Sequence, residues 1–184
     1  MGTMSIVDVG ASRPLTRADL QDTPDDGRRY ELIDGILIVS PAPRVPHQRV
    51  VANLFLLLRS ACPPELEALF APLAVALAED TELQPDLLVA PRTQFTDSEL
   101  AGAPLLAVEV LSPSTRRIDL LLKRDRLQEA GCPSYWLIDP DRPSVLVLEL
   151  EGGRYVERAV ASGEQRLETS APYPLTLVPA DLLA

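Results

Sequence analysis

The chain is divided into short apolar runs that end at proline or at a glycine-containing turn, and this pattern limits it to a fold built largely on β-strands. The segment RRYELIDGILIVSP holds two such runs around Asp34-Gly35, which is the strongest short-range signal of a β-hairpin. The segment SVLVLELEGGRYVERAV predicts a second hairpin around Gly152-Gly153. Further strands are expected at residues 67–77, 83–90, 105–111 and 134–139, with a short strand and a helical turn at the end of the chain.

Two longer segments predict helices. From His47 to about Ala61 the apolar residues recur at the 3.6-residue period of an α-helix. A second helix is expected from about Arg116 to Ala130, with a short one after Thr16. The order of hairpin, helix, strands, helix, strand and β-rich tail predicts an α/β fold in which helices flank a mixed β-sheet.

The length of 184 residues fits one domain, which we expect at residues 14–184 after a flexible N-terminal segment at 1–13. The longest uncharged apolar run, at residues 50–58, is too short to span a bilayer, and the N-terminus lacks the pattern of a signal peptide. Cys62 and Cys132 form no CxxC pair, so they are interpreted as reduced thiols, and zinc binding by cysteine is excluded. These features lead us to expect a cytoplasmic protein.

The charge balance argues against broad electrostatic adhesion to nucleic acid or to anionic membranes. Lys and Arg total 17 against 27 for Asp and Glu, which gives a net charge of −10. A local basic patch could still attract phosphate within a Debye length. The sequence predicts such a patch from five residues that follow the run at 105–111: Arg116, Arg117, Lys123, Arg124 and Arg126.

Two acids interrupt apolar runs, Asp86 in QPDLLVA and Glu109 in AVEVL. Burying an unpaired charge is costly, so each acid requires a partner. Asp86 could bond free backbone amides at a strand entrance, and Glu109 could pair with Arg116. Taken together, the two carboxylates favour a site for Mg²⁺ or Mn²⁺, which prefer oxygen ligands.

Lys123 lies three residues after Leu120 and four before Leu127, on the apolar stripe of its predicted helix. This position predicts that the ammonium points inward or along an edge, where it could hold an attacking water or offset phosphate charge. The alternative is a snorkelling lysine or an exposed ion pair with Asp119.

A set of spaced motifs in this chain resembles one bacterial family. The segments DGRRYELIDGILIVSPAP, QPDLLV, VEVLSPSTRRID and GCPSYWLIDP, with His47 and Lys123, are similar to the Uma-two family (DUF820), a group of proteins described as restriction endonucleases with the PD-(D/E)XK nuclease fold. The resemblance runs from about residue 14 to the C-terminus. It implies a restriction-endonuclease-like fold with β-hairpin additions and a metal-dependent endonuclease that acts on DNA.

The resemblance also implies roles for individual residues. Pro85-Asp86 corresponds to the PD element and Glu109 to the second acid, so these two carboxylates and the Val110 carbonyl would bind Mg²⁺. Glu31 and His47 match other recurring positions, with His47 as a general base or phosphate contact. On the residues alone, Glu31 could be an ordinary surface acid and His47 a helix cap or a core residue.

One departure concerns the catalytic lysine. The general nuclease pattern has a lysine two residues after the second acid, where this chain has Leu111, and the family-like lysine on the following helix is Lys123. The alternative function is therefore a catalytically silent nuclease-like module that binds a protein or nucleic-acid partner. Because many nucleases of this fold act as symmetric pairs, a homodimer is expected.

Overall fold

The computed structural model describes residues 5–6 and 13–184, and its described part is a mixed α/β fold with few helices. Its strands are β1 Ser5–Ile6, β2 Arg29–Ile33, β3 Ile36–Ser40, β4 Leu66–Phe70, β5 Ala74–Ala78, β6 Thr81–Leu83, β7 Leu87–Pro91, β8 Glu99–Ala101, β9 Leu106–Val110, β10 Ser134–Asp139, β11 Ser144–Glu151, β12 Arg154–Ser162, β13 Leu167–Thr169 and β14 Leu175–Leu177. Its helices are α1 Val45–Ala61, a π-helical segment Ile118–Lys123, α2 Arg124–Glu129 and the 3₁₀ helices Arg17–Asp22, Arg92–Gln94 and Pro179–Leu183.

The strands form two six-stranded sheets and one isolated pair. The first sheet has the order β1-β3-β2-β6-β5-β8, and the second has the order β12-β11-β10-β9-β7-β4. Each sheet contains one parallel pair, β5 with β8 and β9 with β10, among antiparallel neighbours. The strands β13 and β14 pair with each other. The predicted fold of mixed sheets with flanking helices is confirmed.

The first hairpin forms where the sequence predicts it. The strands β2 and β3 pair antiparallel, with Ile33 opposite Ile36 across the two-residue turn. Asp34 has φ 53° and Gly35 has φ 74°, and such positive values suit the twist of a tight hairpin. The second hairpin joins β11 and β12 around Gly152-Gly153, again as predicted.

Helix α1 packs on one face of the second sheet. Its fully buried residues Val50, Leu54 and Leu58 follow the predicted apolar stripe. They contact the side chains of Val108 on β9 and Trp136 on β10, among others, in the larger apolar cluster. This packing fixes the helix, and therefore its first turn, against the central strands.

The opposite face of the second sheet packs toward the first sheet. A second apolar cluster joins Ala107 and Leu137 of the second sheet to Ile33 and Leu83 of the first. Side chains alternate across a strand, so Glu109 lies on the same face of β9 as Ala107. Glu109 is therefore directed into the layer between the two sheets, where it is buried.

Some predicted elements differ from the structure. The run at 67–77 is divided into β4 and β5, which belong to different sheets, because Pro72 interrupts the run. The run at 83–90 is also divided, between β6 and β7. Asp86 consequently lies in the turn before β7 and not within a strand.

The helix predicted at 116–130 is observed at 116–129, but its segment Ile118–Lys123 is π-helical and precedes α2. The predicted flexible segment 1–13 falls almost wholly outside the described residues, and the domain limits remain a prediction. Within residues 13–184, no helix is long and apolar enough to cross a membrane.

Candidate active site

A cleft of about 1030 Å³ opens where the two sheets, the start of α1 and the π-helical segment meet. Its charged and titratable lining includes the buried groups His47, Asp86, Glu109, Asp119 and Lys123, from separate parts of the chain, and the partly exposed Arg29. Glu31 is buried directly behind Lys123. Burial of this many ionisable groups in one place is characteristic of a functional site.

Asp86 is held by three donors. Its Oδ1 accepts a hydrogen bond from Arg29 Nη2 at 2.8 Å, and its Oδ2 lies 3.0 Å from His47 Nε2. The same Oδ2 accepts the backbone N–H of Val110 at 2.8 Å. The Arg29 guanidinium, the His47 imidazole and the Val110 amide together fix the Asp86 carboxylate in one orientation.

The strand register explains why that backbone amide is available. The pairing of β7 with β9 ends at Leu87 opposite Val108, so Val110 lies beyond the last ladder pair. Its N–H would otherwise lack an acceptor on that side, and a buried amide needs one. Asp86 immediately precedes Leu87 and supplies that acceptor.

Lys123 lies among three carboxylates. Its Nζ is 2.9 Å from Glu31 Oε1, 3.0 Å from Glu109 Oε1 and 3.5 Å from Asp119 Oδ1. The strands β2 and β9 and the π-helical segment contribute one acid each. Glu31 Oε1 also accepts the backbone N–H of Gln84 at 2.7 Å, which ties this cluster to the turn that carries Asp86.

Burial and mutual repulsion shape the protonation of these groups. Burial raises the pKa of Glu109 well above its ordinary value, and the neighbouring acids add to that effect while Lys123 opposes it. Burial likewise raises the pKa of Asp119. For Asp86, the hydrogen bond from His47 and the charge of Arg29 outweigh burial and hold its pKa below the ordinary value. Burial opposes the charge on Lys123, but the three carboxylates raise its pKa above the ordinary value.

Two buried polar atoms of the site have no hydrogen-bond partner among the described residues, His47 Nδ1 and Asp119 Oδ1. Asp119 Oδ1 has only its long contact with Lys123. Unsatisfied buried polar atoms are rare in folded proteins. Both atoms are therefore free to bond a water or another polar group in the cleft.

The chemistry of the donors fits a divalent cation. In the part of the chain that the structure describes, Lys123 and Arg29 are the permanent cations paired with the four carboxylates of Asp86, Glu109, Glu31 and Asp119. Within residues 13–184, no three His, Cys, Asp or Glu side chains converge as a complete metal-ligating group. Carboxylate oxygens are the ligand type that an ion such as Mg²⁺ prefers, with waters completing its coordination.

The five side chains selected from the sequence come together in the structure. Asp86 contacts His47, Glu109 contacts Lys123, and Lys123 contacts Glu31. The alternatives that placed Lys123 and Glu31 at the surface do not hold, because both are buried. The amide-bonding alternative for Asp86 is observed alongside its other contacts.

Other expectations were wrong. Arg116 pairs with Asp139 at 2.7 Å and not with Glu109. The basic patch predicted after residue 115 is dispersed, because Lys123 turns into the cleft and Arg126 pairs with Asp34 and Glu129.

Arg29 was not predicted from the sequence as a site residue, and Asp119 was predicted only as a surface partner of Lys123. The signal for Arg29 is its position two residues before Glu31, on the same face of β2. The signal for Asp119 is its i,i+4 spacing from Lys123, which places both residues on one helix face.

Comparisons with known proteins show the family of this chain and its fold. One solved structure, described as a "putative nuclease belonging to DUF820" from Anabaena variabilis, is similar with a TM-score of 0.72 and 21% identity, covering 92% of this chain and 98% of that one. No curated protein matches this sequence. The model of the Uma2 family, described as "Putative restriction endonuclease", matches residues 17–180. The chain therefore belongs to the Uma2 family.

Proposed function

We propose that this protein is a metal-dependent DNA endonuclease that hydrolyses phosphodiester bonds. The observation that carries the proposal is the convergence of Glu31, His47, Asp86, Glu109 and Lys123, from five separate elements, in and behind one cleft. A structural scaffold gains nothing from burying so many charges, because replacing buried ion pairs by apolar residues is often neutral or stabilising. Membership of a family described as restriction endonucleases supports the same reaction class.

Asp86, Glu109 and the Val110 carbonyl are the groups that would hold Mg²⁺ or Mn²⁺. When bound, such a cation supplies polarisation of the scissile phosphate and a more acidic water. The chain itself contributes orientation. The Val110 amide and His47 fix the Asp86 carboxylate, and β9 fixes Glu109 on the face that lines the cleft.

Lys123 is the group proposed to offset negative charge that develops on the phosphate. Glu31 lies 2.9 Å from its ammonium and is not part of the cleft lining, so Glu31 is proposed as a positioning residue. His47 presents a buried Nδ1 without a partner among the described residues, while its Nε2 is held by Asp86. That arrangement is suited to a general base or to a contact with a phosphate oxygen.

Nicking of supercoiled plasmid DNA tests this proposal. We expect wild-type protein to convert supercoiled to open-circular plasmid with Mg²⁺ or Mn²⁺ and to do nothing in EDTA. Asp86→Asn and Glu109→Gln should each lower the rate at least about a hundredfold. Glu168→Gln is the matched control, because Glu168 is exposed, pairs with Arg166 and does not line the cleft. Cleavage in EDTA, or an undiminished rate in both site variants, would refute the proposal.

The proposed enzyme acts as a homodimer in the cytoplasm. A symmetric pair would place two clefts against the two strands of a duplex. Analytical ultracentrifugation at micromolar concentration tests the dimer, and a purely monomeric species counts against it.

A second candidate is a catalytically silent nuclease-like module. The observation in its favour is that Arg29, His47 and the Val110 amide already occupy both oxygens of Asp86. Leu111 at the usual lysine position and the net charge of −10 also favour a catalytically silent module. Mn²⁺ titration by calorimetry separates the two candidates, since a silent module needs no divalent ion.

A further inference from the structure

Arg29 contributes a cationic side chain to the cleft that was not predicted from the sequence. Its Nη2 donates to Asp86 Oδ1 at 2.8 Å, and its Nη1 donates to the Gln84 carbonyl at 3.1 Å. The guanidinium therefore bonds both Gln84 and Asp86, the first and last residues of the turn at 84–86. Its side chain remains 22% exposed and lines the cleft, so it can reach a molecule that enters there.

Two interpretations of this contact make opposite predictions. If Arg29 only positions Asp86, its removal should misplace the carboxylate and weaken metal binding. If Arg29 occupies the place of a cation, its removal should leave Asp86 more negative and strengthen metal binding. The charge balance favours the second interpretation, because Arg29 is the permanent cation that contacts Asp86 among the described residues, and this buried carboxylate needs positive charge when no metal is bound.

Asp86 would keep an orientation without Arg29. The Val110 amide and His47 Nε2 both hold Oδ2, whereas Arg29 is the contact of Oδ1. A metal ion that takes Oδ1 competes with the guanidinium for the same lone pairs. Two cations within a few ångströms repel each other, so they do not share this oxygen without cost.

We propose that Arg29 is a built-in competitor of the divalent cation for Asp86, and that its guanidinium, once displaced, binds a phosphate group of the nucleic acid. This proposal rests on the proposed function and deepens it. A displaced guanidinium in a partly buried cleft needs a new anionic partner, and phosphate matches its forked donors. Metal binding and phosphate binding at this site are therefore coupled through one side chain.

Calorimetric titration with Mn²⁺ provides the first test. Arg29→Met keeps much of the side-chain volume and removes the charge, so it should bind Mn²⁺ at least about tenfold more tightly than wild type. Arg28→Met is the matched control, because Arg28 also lines the cleft but pairs with Asp26 at 3.3 Å and is not among the described contacts of Asp86. We expect Arg28→Met to bind Mn²⁺ within about twofold of wild type. Unchanged or weaker binding by Arg29→Met would overturn the proposal.

The second test measures DNA affinity by fluorescence anisotropy with a labelled duplex and Ca²⁺ as the divalent ion. Ca²⁺ should increase the affinity of wild type and Arg28→Met several-fold more than that of Arg29→Met. An equal increase in all three proteins would contradict the phosphate-binding role of Arg29.

A third measurement uses wild-type protein alone, which keeps the proposal testable if Arg29→Met does not fold. In NMR spectra, saturating Mg²⁺ should speed hydrogen exchange of the Arg29 guanidinium, whereas the Arg158 guanidinium, paired with Glu149 far from the cleft, should not change. Unchanged Arg29 exchange would overturn the proposal. If neither wild type nor Arg29→Met binds Mn²⁺, both proposals fail. If wild type binds Mn²⁺ and cleaves DNA but Arg29→Met resembles Arg28→Met, only the Arg29 proposal fails.

Discussion

Lys123 Nζ lies 3.0 Å from Glu109 Oε1, and this ion pair joins the helix after β9 to β9 itself inside the layer between the two sheets. Both side chains are nearly inaccessible to solvent. A buried pair of this kind gives little net stability when intact, but breaking it is costly because one charge remains unpaired. Lys123 is therefore both a proposed functional group and a requirement for folding.

Lys123→Met should lower the free energy of unfolding by about 3–5 kcal/mol at neutral pH, because three carboxylates lose their shared cation. Because Lys123 is buried, this substitution should affect the stability of the fold as well as the proposed cleavage. Chemical denaturation measures the loss. Arg126→Met is the control, since its surface pairs with Asp34 and Glu129 should contribute at most about 1 kcal/mol. Equal small losses in both variants would contradict the buried cluster.

The stability of the metal-free protein should fall as the pH rises above about 4.5. Glu109 has a pKa raised by burial, so the folded state holds a proton that the unfolded state has lost. The resulting stabilisation is fully present below the ordinary pKa and is lost as the pH rises through the folded pKa. Asp86, whose pKa is lowered, acts in the opposite direction and only at more acidic pH.

Denaturation in EDTA between pH 4.5 and 8 measures this slope. Glu109→Gln should flatten the decline, whereas Glu168→Gln at the surface should leave it as in wild type. Addition of Mg²⁺ at pH 8 should restore stability to wild type but not to Glu109→Gln. A decline that is identical in all three proteins would exclude Glu109 as its source.

Gly35→Ala should destabilise the protein more than Gly27→Ala. Both glycines have a positive φ, 74° and 75°, so alanine at either site costs about 1 kcal/mol in backbone strain. At Gly35 a Cβ atom would also lie 2.7 Å from Pro14 Cβ, whereas at Gly27 nothing lies within 4 Å. Overpacking should add about 1–3 kcal/mol at Gly35. Thermal denaturation compares the two variants, and equal losses would contradict the close approach of Pro14.

Local chemistry explains which elements the sequence could predict. Asp34-Gly35 specifies its hairpin because a two-residue turn with positive φ favours these residue types. The apolar stripe of Val50, Leu54 and Leu58 specifies α1 through its period. The acids Asp86 and Glu109 were recognised because each interrupts an apolar run, and the resemblance to a family added Glu31 and His47.

Other features depend on long-range contacts that a single sequence does not reveal. Arg29 follows the exposed Arg28 and resembles another surface residue until the turn of residues 84–86 is placed beside it. Pro72 interrupts the run at 67–77, but the sheet that each half joins is determined by its partner strands elsewhere in the chain. The π-helical segment Ile118–Lys123 replaces the hydrogen-bond pattern of an α-helix by the wider π-helical one, and no residue type in the segment predicts this change.

The most direct test of the central claim is Mg²⁺-dependent nicking of supercoiled plasmid by wild type and Asp86→Asn, prepared identically and shown by circular dichroism to be folded. If the cleft is a metal-dependent active site, wild type should nick the plasmid with Mg²⁺ and should not nick it in EDTA. The nicking rate of Asp86→Asn should be at least about a hundredfold lower than that of wild type. Nicking by Asp86→Asn at the wild-type rate would show that the cleft described here is not the active site.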